Sequence, residues 1–85
     1  MCRNITILRG LEPEATPAEI EDAARQYVRK ISGIRQPSAA VAARFEQAVA
    51  DIASITAALL DELPARRQPP TTVPPSRRRP APAAT

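Results

Sequence analysis

Apolar residues fall in two helical stripes along this chain, and the stripes stop well before its end. Ile20, Ala23, Ala24, Tyr27, Val28 and Ile31 sit at i, i+3, i+4, i+7, i+8 and i+11. At roughly 3.6 residues per turn they line one face of a helix. Thr16 is the expected N-cap, Pro17 takes the first helical position, and Glu19 completes a capping box. Acidic residues (Glu19, Glu21, Asp22) lead and basic ones (Arg29, Lys30) trail, which complements the helix dipole. Gly33 is the expected left-handed stop, with Ile34 folding back onto Val28 in a Schellman closure. The pattern predicts helix one over 17–32.

A second stripe holds Val41, Phe45, Ala48, Val49, Ile52, Ile55, Thr56, Leu59, Leu60 and Leu63. Within it Phe45, Val49, Ile52, Thr56, Leu59 and Leu63 alternate by four and three, like the seam of a coiled coil. Ser38 is the expected cap. Pro64 ends the helix because its ring disfavours helical geometry in the residue before it. Helix two is therefore expected over 39–63. Ahead of both stripes, Ile5, Leu8 and Leu11 suit a short helix over about 4–10, with Asn4 as cap and Gly10 as stop. Ile5-Thr6-Ile7 also alternates like a strand, but no second strand is available to pair with it, so a short helical turn is the preferred reading.

These elements predict an all-α fold: a short N-terminal helical turn, an antiparallel hairpin of two amphipathic helices over 1–63, and a disordered Pro/Arg-rich tail over 64–85. The short link from Gly33 to Ser38 imposes the hairpin. At about 1.5 Å per residue, helix two spans about 37 Å and helix one about 24 Å, so helix one covers only part of its neighbour. The rest of the second stripe needs the N-terminal segment, a second copy or a partner. The tail holds seven of the ten prolines and one large apolar residue, Val73, so it lacks the apolar surface to repay ordering. An extended, mobile segment with polyproline II character is expected.

Charge divides at the same boundary. Residues 1–63 carry seven Lys/Arg against nine Asp/Glu, or −2. Residues 64–85 carry five Arg and no acid, or +5, which together give the net +3. A basic arm on a near-neutral body attracts polyanions such as nucleic acid. One Cys excludes an internal disulfide. No leader-like opening and no long apolar run are present, so no membrane span is expected and the chain is assigned to the cytoplasm.

The opening MCRNI, the block ATPAEIEDAARQYVRKISG around helix one, and the Pro37-Ser38, Phe45 and Ala48-Val49 positions at the start of helix two resemble a family of short bacterial proteins, domain of unknown function 2277. The resemblance covers about residues 1–63. The chain departs from the family pattern at Leu11, Glu14 and Val41, and its tail is richer in proline. The family implies no activity, cofactor or site residue.

Candidate chemistry is sparse. With no His and only Gly10 and Gly33, neither a histidine base nor a glycine-rich phosphate loop can be built. The carboxylates Glu19, Glu21, Asp22, Glu46, Asp51, Asp61 and Glu62 fall mostly on polar faces and read as solvated charge. No catalytic residue, cofactor or small-molecule substrate is assigned, and the chain is not expected to be an enzyme. Cys2 is the one metal candidate: removal of Met1 would place an amine beside the thiol, a pair able to chelate a soft metal. The competing reading is a small apolar side chain packed by Ile5.

Arg25, Arg29, Lys30 and Arg35 could form a basic ridge, against a plain Glu21–Arg25 pairing at i, i+4. Arg66, Arg67, Arg77, Arg78 and Arg79 could bind phosphates without reading sequence, or could simply solubilise the tail. A DNA-reading helix–turn–helix is disfavoured by the long turn and long second helix. The preferred function is a protein–protein interaction module, either a homodimer or a subunit of a larger complex, with Tyr27, Phe45, Ile52, Ile55, Leu59, Leu60 and Leu63 as interface candidates. A nucleic-acid or ribosome-associated accessory protein using the tail is second. A metal or redox protein using Cys2 is third.

Overall fold

A computed structural model describes residues 4–77. Two helices, α1 (Pro17–Ser32) and α2 (Ala39–Glu62), pack against each other as a hairpin, and Pro75–Arg77 adds one 3₁₀ turn. No strand occurs among the described residues.

The α1 start follows from its capping box. The Glu19 N–H donates to Thr16 Oγ1 (3.1 Å) and the Thr16 N–H donates to Glu19 Oε1 (2.9 Å). These bonds occupy donors that a helix start leaves open. Gly33 ends α1 at φ 73°, and its N–H donates to the Arg29 carbonyl at 2.9 Å. The closure is the simpler left-handed motif and not the Schellman pattern. The Ser32 hydroxyl donates to the Val28 carbonyl (2.7 Å) and accepts the Ile34 N–H (3.1 Å), diverting it from the helix carbonyls. Ile34 still packs on the cluster that contains Val28.

Ser38 stands at the α2 N-cap, but its side chain makes no capping hydrogen bond. Leu63 turns extended (φ −78°, ψ 147°) ahead of Pro64, which fixes the other end.

The hairpin core has two clusters. At the closed end, beside the turn, Ala24 and Val28 of α1 meet Phe45 and Val49 of α2, with Ile52 packed against them. Val49 is 1 % exposed. At the open end Leu8, Leu11 and Ile20 are buried, flanked by Ala15, Leu60 and Val73. Ala53 touches both clusters.

Residues 4–10 do not form the expected short helix. They run as turns and bends, with a Leu11 N–H to Leu8 carbonyl contact of 3.4 Å. A helix that short forms too few hydrogen bonds to offset its nucleation. Tertiary contacts hold the segment instead: the Asn4 N–H donates to Gln26 Oε1 (2.6 Å), and Arg9 Nε donates to the Pro64 carbonyl (2.9 Å). Gly10 has φ 90°, and a Cβ there would lie 3.0 Å from Arg66 Cβ and Cδ. Glycine is thus required both by its backbone angle and by the tail crossing over it.

Residues 64–77 are irregular, with bends at 67–68 and 71–72 and the one 3₁₀ turn. Composition did not indicate that they return to the hairpin, where Pro70 and Pro74 are buried and Val73 joins the open-end cluster.

Candidate functional site

The apolar surface of the hairpin is the first feature that could carry function. α2 is longer than α1, 24 residues against 16, and its outer flank stays uncovered. Ile55 is 72 % exposed and Leu59, one turn later, 54 %. Val41 is exposed on the same helix and Leu63 just past its end, as are Tyr27 and Ile31 on α1 and Ile5 and Ile7 on the N-terminal segment.

The expected interface residues therefore divide. Phe45 is buried in the closed-end cluster, Ile52 packs against that cluster, and Leu60 packs against the open-end one. Tyr27, Ile55, Leu59 and Leu63 face outward. Sequence periodicity did not separate the two groups, because it marks the apolar arc without saying which edge the partner helix takes.

A cleft of about 1000 Å³ lies beside this body. Its floor is the small-residue face of α2 (Ala50, Ala53, Ser54, Ala57), with Leu8 and Gly10 on one wall and Arg66 and Arg67 on another. Neither arginine has a hydrogen-bonding or ion-pair partner among the described residues.

The remaining basic candidates do not form one ridge. Arg25 is held by carboxylates: Nη1 lies 2.6 Å from Glu46 Oε2, and Nη2 lies 3.0 Å from Glu46 Oε1 and 2.9 Å from Glu21 Oε2. It clamps α1 to α2. Its hydrogen bonds hold the Glu46 carboxyl below the usual carboxylate range. Arg29, Lys30 and Arg35 are exposed near the closed end, whereas Arg66 and Arg67 follow α2 at the open end. Arg77 pairs with Glu19, through Nε to Oε2 at 2.6 Å and Nη2 to Oε1 at 2.9 Å. Arg78, Arg79 and the metal candidate Cys2 lie outside the described residues. Among the described residues no three His, Cys, Asp or Glu side chains come together to hold a metal ion. Of these pairings, sequence spacing revealed only Glu21–Arg25. The Glu46 and Glu19 contacts join residues 21 and 58 positions apart, a separation that carries no local signal.

The fold and surface define a small all-α protein built on a two-helix hairpin, with the flanking segments 4–11 and 64–77 packed against its open end. Within that class the chain belongs to the uncharacterized conserved protein family DUF2277, whose model matches residues 1–84. No curated protein matches the chain, and no solved structure does. No helix among the described residues is long and apolar enough to cross a membrane.

Proposed function

We propose that this protein is a non-catalytic protein–protein interaction module, acting as a homodimer or as a subunit of a larger complex. The observation that carries the reading is the outer flank of α2, where Ile55 and Leu59 stand on successive turns, both more than half exposed. Two large aliphatic side chains four residues apart form the anchor pattern by which one helix docks into a partner's apolar groove. Clustered exposed apolar side chains of this kind mark contact surfaces more often than scattered single ones do.

Sedimentation of the full chain at tens of micromolar tests it, alongside capture experiments from native cells. The double variant Ile55→Ser/Leu59→Ser is expected to weaken association at least tenfold while helicity by circular dichroism stays unchanged. A wild-type chain that stays monomeric, and that captures nothing the double variant loses, overturns the reading.

A second reading, a nucleic-acid or ribosome-associated accessory role, draws support from Arg66 and Arg67, which lack carboxylate partners among the described residues. It predicts RNA binding that falls steeply with salt and weakens in Arg66→Ala/Arg67→Ala. Binding unaffected by either change counts against it.

A further inference from the structure

A groove at the open end of the hairpin already holds a proline-rich segment, the chain's own residues 69–77, which bends at Thr71-Thr72 and ends in the 3₁₀ turn Pro75–Arg77. The segment reads Pro-Pro-Thr-Thr-Val-Pro-Pro-Ser-Arg. Pro70 and Pro74 are buried, and Val73 packs with Leu11 and Ile20. Four residues beyond Val73, Arg77 forks onto both oxygens of Glu19 and donates from Nη2 to the Glu14 carbonyl at 3.2 Å.

The receiving side is built for this chemistry. Leu11, Pro13, Thr16 and Glu19 line one side of the groove. The Glu19 side chain is 10 % exposed and fixed by its second task, capping α1. Proline fixes φ and so limits the entropy lost on docking, while a fixed carboxylate facing a guanidinium sets the register. The groove is open to solvent, with about 620 Å³ of space bounded jointly by body and tail residues. A tethered ligand in an open groove is one that an outside competitor can reach and replace.

We propose that this groove is a peptide-recognition site for a partner protein's proline-rich segment, one bearing an aliphatic residue four positions before an arginine, and that the chain's own tail keeps it closed. The site does not use the Ile55–Leu59 flank, so the two proposals stand or fall separately. Tethering gives the tail a local concentration on the order of millimolar, which a free peptide must overcome.

Fluorescence polarisation with a labelled, C-terminally amidated peptide of residues 68–77 tests the proposal on the full chain. Arg77→Glu places a carboxylate against the Glu19 carboxylate and the Glu14 carbonyl oxygen and should release the tail. The released chain is expected to bind the peptide at least tenfold more tightly than wild type. Adding Glu19→Gln, which keeps an acceptor for the Thr16 N–H, should remove most of that gain. A scrambled peptide of the same composition should bind at least tenfold more weakly than the native one. Val73→Asp releases the tail by a second route and carries the same test if Arg77→Glu lowers helicity. The proposal is overturned if the helical, released chain binds no better than wild type, or if it binds the scrambled peptide equally well.

Discussion

The closed and open ends of the hairpin bury the same kinds of side chain by different means. At the closed end, Ala24, Val28, Phe45 and Val49 lie within 25 positions of one another, joined by one short turn. At the open end, Leu8, Leu11, Ile20, Leu60 and Val73 come from four segments spanning 65 positions. Loop-closure entropy rises only slowly with length, so distance alone does not weaken the open end. The weakness lies in its makeup. Two of its contributors, the N-terminal segment and the tail, lack the helical hydrogen bonds that order α1 and α2 independently of each other. The open end is therefore expected to open first, in local excursions that leave the closed end intact.

The largest effect should come from Phe45→Ala, which empties the centre of the closed end. A loss of about 3–5 kcal/mol should appear as cooperative unfolding of the whole chain in urea. If the open end instead survives this change with its amide protection intact, the two clusters are independent and the ranking of the two ends is wrong. Leu11→Ala should cost about 2–3 kcal/mol, the lower part of the usual range, because the adjacent groove lets the site collapse. Hydrogen exchange should then rise in residues 4–11 and 64–77 and stay low in Val28, Phe45 and Val49.

Thr16→Ala removes the cap and should cost about 1 kcal/mol, read as fraying of the first turn of α1 at the open end. Acid should act at the same place. Hydrogen bonds from Arg77 hold the Glu19 carboxyl below its ordinary value. A carboxyl lowered in the folded state stabilises above the ordinary carboxylate range, and that contribution is lost as pH falls through the folded value. Tail release, followed by a fluorophore on the tail, should therefore increase as pH drops below about 4.3, and Glu19→Gln should flatten that response. The smallest effect belongs to Thr6, whose Oγ1 is shielded and has no hydrogen-bond partner among the described residues. Thr6→Val should raise stability by a few tenths of a kcal/mol, seen as a small upward shift of the melting temperature. A loss would count against an unpaired hydroxyl at this position.

Thr16, Pro17, Glu19 and Gly33 mark both boundaries of α1, and Pro64 places the end of α2 to within one residue. These signals are local: each rests on a hydrogen bond or a steric clash within a few residues. Residues 4–10 misled because Ile5, Leu8 and Leu11 fit a helical spacing that the chain uses only to aim Leu8 and Leu11 inward. Of the candidate surface, the apolar arc of α2 was legible but not its division: Phe45, Ile52 and Leu60 turn in, while Ile55 and Leu59 turn out.

The sequence by itself determined two amphipathic helices, the capping box of α1, the hairpin joining them and the basic, proline-rich character of the tail. Periodicity, capping and proline act over one or two turns and can be read from neighbours alone. Only the tertiary structure decided that Arg25 would clamp Glu46, that Gly10 would pass beneath Arg66, and that Arg77 would close over Glu19. Those pairings depend on the exit direction of α2 and on where the residues after Pro64 land. That geometry comes from the packing of whole elements and has no counterpart in the spacing of residues along the chain.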